Sequence, residues 1–312
     1  MRSVVVTGGL GLTGSWVVHR LAAEGKHVII LDRERSHKDY LDGLGDRLRF
    51  CRGDPSDIRA LFEVLGENRN EIEGIIRLAG EDHQWPYAFV EANVMGLANL
   101  LEAARLNGIR KVVMQSSDAI YGRREGVLDE TAPCDPVDLY GASIFAAELI
   151  GLQYAKDSQI LLRIVRTGPV FGPGEIPRPG GLFSPLAGEP AIEMDSGWDD
   201  RRDLTYVKDA AKGIVMAYNA DGGRHQVFNV SGGATYSTED IVEAVKGHCA
   251  GPVKVKIGGG TSSPRFESGS PLDLTRAETA LGYTPDYDLE SGLAEYARWL
   301  KTRSAPPVGA PT

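Results

Sequence analysis

The sequence predicts an α/β fold: a doubly wound parallel sheet joined to a smaller C-terminal α/β domain. Three observations predict it. Short apolar runs alternate with helical patterns through the first half of the chain. Those runs are continuously apolar rather than alternating, as strands are when helices cover both faces of their sheet. A glycine-rich turn follows the first run directly and opens the first helical stretch. Strand–helix alternation of this kind builds parallel sheets, because each parallel pair needs a crossover connection.

The expected strands are Ser3–Thr7, His27–Leu31, Leu48–Cys51, Gly74–Leu78, Lys111–Gln115 and Ile160–Val165. Helices are clearest between them at Gly14–Glu24, Tyr87–Asn107 and Ser143–Lys156. After Val170 the texture changes. Phe171–Pro190 holds five prolines and five glycines and reads as loop. Patterned segments return at Val207–Tyr218, Val227–Val230 and Thr238–Gly247, and a last helix is expected over Leu289–Lys301. The expected division is a first domain over 1–167, with a segment near 205–230 returning to it. A second domain follows over 168–303, and the Pro-, Ala- and Gly-rich stretch 304–312 is expected to be a disordered tail.

Composition limits the function classes. The chain has 312 residues, 25% charged and 42% apolar, enough for a sizeable core. A net charge of -9 speaks against nucleic acid as a partner, since the phosphate backbone calls for clustered Lys and Arg. It leaves room for a phosphorylated small molecule, which needs only two or three placed arginines. Cys51, Cys134 and Cys249 form neither a disulfide framework nor a metal-ligand set. No apolar run has the length of a membrane span, and a strand begins within three residues of Met1. The expectation is a cytoplasmic protein with no metal and no membrane partner.

Thr7-Gly8-Gly9-Leu10-Gly11-Leu12-Thr13-Gly14 spaces three glycines three residues apart. Such glycines give a tight turn, close approach to a pyrophosphate and close helix–strand packing. The helix that follows offers free N–H groups to the anion. The context is that of a Rossmann-type dinucleotide site, with Gly8, Gly11, Leu12 and Gly14 facing the cofactor. Asp32 ends the second run, where a carboxylate bonds the adenosine ribose and repels a 2′-phosphate. NAD is therefore expected over NADP, although Arg33 beside it could accept a 2′-phosphate.

Further motifs follow in order: Gly53-Asp54-Pro55-Ser56-Asp57, Leu78-Ala79-Gly80, Asn93-Val94-Met95-Gly96, Ser116-Ser117-Asp118-Ala119-Ile120-Tyr121-Gly122, Tyr140-Gly141-Ala142-Ser143, Arg166-Thr167-Gly168-Pro169-Val170 and Arg202-Asp203-Leu204-Thr205-Tyr206-Val207. Together with the glycine spacing they resemble the extended short-chain dehydrogenase/reductases, specifically the NAD-dependent epimerase/dehydratases of sugar nucleotides. The resemblance covers nearly the whole chain. It implies that Asp54, with Pro55, reads the adenine. It places Leu78, Ala79 and Gly80 beneath the cofactor ribose and makes Asn93 a brace for the active-site strands. It puts Ser116 on the cofactor side of the strand end and Thr167 and Val170 beside the nicotinamide. Ser117 and Tyr140 would be the catalytic hydroxyls, and a homodimer would pair through the Asn93 helix and the helix after Tyr140.

The resemblance also exposes a departure. In this family a tyrosine phenolate removes a proton from a substrate hydroxyl while hydride passes to the nicotinamide. A lysine four residues later stabilises that phenolate by its charge. Here the position is Ile144, which carries no charge, and no cation in the nearby sequence replaces it. Free tyrosine ionises near pH 10, so on the order of 0.1% is phenolate at neutral pH. Asp118 stands where the resembling dehydratases have a general acid, but Ala119 stands where they have a glutamate base. The alternative for Asp118 is local hydrogen bonding.

For a substrate the polar candidates are His83, Ser117, Arg202 and Arg265. Planar guanidinium groups suit a diphosphate, the alternative being ion pairs with acidic residues. His83 sits on a loop expected to face the substrate, the alternative being a surface histidine. Pro169, where the resembling enzymes commonly carry an asparagine to the substrate, departs from the sugar-nucleotide pattern, and the short loop before Asn93 resembles that of uronate dehydrogenases, which take free sugar acids. Three functions remain open: an epimerase-type enzyme on a sugar or sugar nucleotide, a net dehydrogenase on a sugar acid or polyol, and a catalytically weak NAD-binding sensor or scaffold.

Overall fold

A computed structural model of the chain describes residues 2–33, 41, 43–80, 86–222, 226–267 and 269–304. Its first half alternates strands β1 (Ser3–Thr7), β2 (His27–Asp32), β3 (Leu48–Arg52), β4 (Ile72–Arg77), β5 (Lys111–Ser117) and β6 (Leu161–Thr167) with helices α1 (Leu12–Ala23), α2 (Ile58–Glu67), α3 (Pro86–Phe89), α4 (Gly96–Leu106) and α5 (Leu139–Asp157). The second half adds β7 (Val170–Phe171), β8 (Ala191–Met194), β9 (Arg201–Asp203), β10 (Thr205–Tyr206), α6 (Val207–Asn219), β11 (Val227–Val230), β12 (Thr235–Ser237), α7 (Thr238–Gly247), β13 (Lys254–Ile257), α8 (Thr275–Leu281) and α9 (Leu289–Ser304).

One seven-stranded sheet has the order β11-β6-β5-β4-β1-β2-β3, and every pairing in it is parallel. Apolar side chains on both faces explain the continuous apolar runs. Val4 and Val6 face a core shared with α1 and α6, and Val5 faces the core of α2, α4 and α5. All three valines are fully buried. Full burial of such a side chain stabilises by about 1.5–3 kcal/mol. The chain winds outward from β1 through β2 to β3, then returns to β4 and winds the other way. The crevice at the carboxyl ends of β1 and β4 is therefore the switch point where ligands of such sheets bind.

The doubly wound fold predicted from the runs is present, with differences at the element ends. β5 continues to Ser117 and β6 to Thr167, carrying polar residues beyond the apolar run into the crevice. α5 starts at Leu139 rather than Ser143, because the Asp138 carboxylate caps it by accepting from the Gly141 N–H at 2.7 Å. The helix expected over Tyr87–Asn107 is α3, a π-helical turn over Val90–Met95, and α4. Such turns interrupt regular helices often at functional positions, and this one holds Asn93. The segment expected to be loop after Val170 contains β7 and a 3-10 turn over Ser184–Ala187. The short pairs β10–β7, β12–β9 and β13–β8, and α8, have no clear periodic signal. A third apolar cluster, including Phe171, Tyr206, Val245, Leu293 and Tyr296, forms the core beyond the main sheet. Ser304, assigned to the tail from sequence, ends α9; the rest of that tail lies outside the described residues.

Candidate active site

The turn after β1 is shaped by what its glycines lack. Gly8 has φ +71°, and a Cβ there would lie 2.6 Å from the Ala79 nitrogen. A Cβ on Gly14 would lie 2.0 Å from the Gly8 carbonyl oxygen. The turn thus packs against the β4 end, whose Leu78 and Ala79 N–H groups both donate to the Thr7 carbonyl at 3.0 Å. The N-terminus of α1 is left facing the crevice, as a pyrophosphate site requires. At the end of β2, one Asp32 carboxylate oxygen accepts from the Leu10 N–H at 3.0 Å and the other from the Arg33 N–H at 2.8 Å. Asp32 therefore fixes the turn while standing beside it.

A cleft of about 640 Å³ runs from this turn across the ends of β4, β5 and β6. Its wall includes Gly8, Gly11, Leu12 and Gly14 from the turn, and Leu78, Ala79, Gly80 and Asn93 beyond β4. Ser116, Ser117 and Asp118 line it from the end of β5, Tyr140 and Ile144 from α5, and Thr167 and Val170 from beyond β6. Arg265 lines the side formed by the second half of the chain. The structure thus gathers most of the residues singled out from sequence. The tight glycine cradle, the open helix terminus and the carboxylate at the β2 end fit a dinucleotide such as NAD.

Several expected residues stand elsewhere. Asp32, Arg33, Asp54 and Pro55 are not on the cleft wall, Asp32 standing beside the glycine turn that lines it. Arg33 and Asp54 are exposed, Pro55 is buried, and the Asp54 carboxylate accepts from the Ser56 N–H at 2.8 Å, closing its own turn. Arg202 is not on the wall either. It pairs with the fully buried Asp200, and also donates to Thr238 Oγ1 at 3.3 Å. Asp200 in turn accepts from the Ser262 N–H at 2.8 Å, which anchors the segment leading to Arg265. Both guanidinium groups lie 4.5 Å from the centroid of the Phe266 ring. Arg202 is therefore placed to hold the Arg265 segment, while Arg265 meets the cleft with its buried Nε lacking a hydrogen-bond partner. His83 lies outside the described residues.

Hydrogen bonds fix the central group. Asn93 is fully buried and its Nδ2 donates to Ser143 Oγ at 2.9 Å, and that hydroxyl donates to the Tyr140 carbonyl at 2.8 Å. The π turn thereby braces the first turn of α5. Ser117 Oγ donates to the Asp118 carboxylate at 3.1 Å and accepts from the Ala119 N–H at 3.2 Å. Burial pushes the Asp118 carboxyl above the usual range, with the Arg265 charge and the Ser117 hydroxyl opposing it. Ser116 donates to Glu148 at 2.5 Å, and Glu148 is held by both Arg166 nitrogens, Nε at 3.0 Å and Nη2 at 2.6 Å. This buried ion pair ties the ends of β5 and β6 to α5. Ile144, only 5% exposed, packs with Ile120, Tyr121, Leu128 and Leu272, so the helix offers no charge at its position.

Residues that sequence reading did not single out also line the cleft: Arg77, Gln115, Asp138, Glu175 and Arg178. Arg77 looked like part of an apolar strand. Its side chain is 3% exposed, and Nη2 donates to the carbonyls of Ala92 at 2.7 Å and Asn93 at 3.3 Å. Among the described residues no three or more His, Cys, Asp or Glu cluster as metal ligands, and no helix is long and apolar enough to cross a membrane.

Residues 4–231 match the family model described as the NAD dependent epimerase/dehydratase family. Over 318 aligned residues the chain is 30% identical to a UDP-glucose 4-epimerase of Mycolicibacterium smegmatis, covering 96% of this chain and 99% of that one. It is 28% identical to a dTDP-glucose 4,6-dehydratase of Streptomyces griseus, covering 95% and 93% respectively. Among solved structures it superposes on MoeE5 in complex with UDP-glucose and NAD with a TM-score of 0.84 and 26% identity, over 97% of this chain and 100% of that one.

Proposed function

The chain belongs to the NAD dependent epimerase/dehydratase family, and from that membership we propose that it oxidises and re-reduces a carbinol of a sugar nucleotide, with Tyr140 exchanging the hydroxyl proton. The expectation of an NAD-dependent enzyme of this class is met by the family itself. The observation that carries the finer reading is the shared cleft. It brings the glycine turn, the Ser117–Asp118–Tyr140 group and Arg265 to one wall.

When bound, NAD supplies the hydride acceptor and donor. The glycine turn and the α1 terminus would hold its pyrophosphate, Asp32 its adenosine ribose, and Thr167 and Val170 its nicotinamide end. The adenine contacts proposed for Asp54 and Pro55 would complete that site. Tyr140 takes the proton of the substrate hydroxyl and returns it. Ser117 orients that hydroxyl, and Asp118, which burial favours in its protonated form, can donate a proton at a neighbouring atom. Arg265, half-buried on the cleft wall, suits a substrate phosphate oxygen. UDP-glucose and dTDP-glucose are the first substrates to try, from the relatives' names.

Purified protein with NAD should convert one of these, read by nuclear magnetic resonance of the sugar ring. Tyr140→Phe should lower the rate by about 10²–10⁴. Turnover of a free sugar acid alone would replace this reading with the dehydrogenase. Binding of NAD with no turnover of either class would favour the sensor, the reading that the apolar seat of Ile144 supports. Apolar side chains exposed on the π turn (Val90 and Met95) and on α5 (Leu149 and Ile150) support a two-fold homodimer through these helices. Light scattering should give the dimer mass, and a monomer at micromolar concentration would refute it.

A further inference from the structure

We propose that Arg77 supplies the positive charge that Ile144 cannot, and thereby sets the proton affinity of Tyr140. The proposal rests on the reading of Tyr140 as the proton-exchanging group. Arg77 closes β4 in register with Thr7 of β1 and Met114 of β5, so it stands on the central strands at the switch point. The carbonyls of Ala92 and Asn93 hold its guanidinium against the π turn. The same turn holds Tyr140, through Asn93, Ser143 and the Tyr140 carbonyl. Cation and phenol are thus built on one rigid frame, and both line the cleft.

A buried guanidinium normally has a carboxylate partner, because leaving a charge unpaired in the interior is costly. Among the described residues no carboxylate pairs with Arg77, and Tyr140, once ionised, is the group whose charge favours the charged guanidinium. The other charged groups on the wall are Asp118, Asp138, Glu175, Arg178 and Arg265. Asp138 is committed to capping α5, Arg178 is exposed, and the Arg265 charge acts on Asp118. Arginine also suits the place chemically. Burial lowers its guanidinium to about 10 from 12.5, which leaves it charged at neutral pH. A lysine starts near 10.4 and would be brought much closer to losing its proton under the same burial. Arg77 is a positioning residue in this scheme: it acts on Tyr140 and touches no reacting atom.

The test is a titration that needs no substrate. Protein labelled with [13Cζ]tyrosine is saturated with NADH, whose nicotinamide is uncharged, and the Tyr140 resonance is identified by its loss in Tyr140→Phe. In Arg77→Gln and Arg77→Met the Tyr140 midpoint should rise by about one pH unit or more, a tenfold gain in proton affinity. An unchanged midpoint in either folded variant overturns the proposal. Should neither variant fold, the parent decides. A Tyr140 midpoint below the value of about 10 for free tyrosine supports the proposal, and one at or above it overturns it. Turnover that survives Tyr140→Phe would instead remove Tyr140 as the proton-exchanging group and leave the Arg77–Tyr140 coupling to stand or fall by the titration.

Discussion

The two ends of the cleft are built by different means. At the cofactor end the shaping elements are backbone: a glycine turn, a helix terminus and the N–H groups that Asp32 holds. At the end proposed for the substrate they are side chains brought from distant segments, with Asp118 on the β5 side and Arg265 far along the chain. A backbone site is specified by which residues are absent, since any side chain at Gly8 or Gly14 would collide. A side-chain site is specified by partners, and a residue matters through whatever holds it. The two arginines expected to bind substrate show this. Arg265 reaches the cleft, whereas Arg202 is spent on Asp200 and supports the segment that carries Arg265.

The comparison can be broken at both ends, beginning with the largest effect. Arg202→Ala strands the Asp200 carboxylate, and should cost about 3–5 kcal/mol of stability in urea unfolding. A loss below about 1 kcal/mol would show that Arg202 is not structural. Arg265→Ala should leave stability nearly unchanged but raise KM for the sugar nucleotide by about 10- to 100-fold, the worth of about 1.5–3 kcal/mol for a charge-assisted bond. An unaltered KM would remove Arg265 from the substrate site. Gly14→Ala pushes a methyl into the Gly8 carbonyl, and overpacking of this kind costs about 1–3 kcal/mol. Calorimetry should show weakened NAD binding, and full-affinity binding would contradict the backbone account.

A pH-dependent effect tests the buried packing behind the cleft. Asp203 accepts from Ser231 Oγ at 2.7 Å and the Leu272 N–H at 2.9 Å, but its other oxygen is buried without a partner. Burial pushes its carboxyl up to about 7. The unfolded chain releases this proton near pH 4 while the folded chain keeps it. Its contribution to stability is therefore fully present below about pH 4, and is lost as pH rises through about 7. Asp203→Asn, which cannot ionise, should gain stability relative to the parent between about pH 4.5 and 7.5 in paired thermal melts. A stability difference constant across that range would mean that Asp203 is ionised when folded.

The sequence by itself determined the doubly wound sheet, because continuous apolar runs separated by helical periods have few other ways to bury both strand faces. It determined the cofactor turn for a related reason: glycine spacing is local, and the geometry that it permits needs no distant partner. Ser117, Asp118 and Tyr140 were legible through the family resemblance, and the structure lines one cleft with all three. The tertiary structure alone decided what each charged side chain faces. It buried Arg202 against Asp200, left the Arg265 Nε without a hydrogen-bond partner, and brought Arg77 and Tyr140 to one cleft although the two are far apart in the chain. Read along the sequence, the loss of a lysine at Ile144 has no compensation nearby. Electrostatic coupling depends on distance in space, and the fold lines one cleft with Arg77 from the end of β4 and Tyr140 from the start of α5.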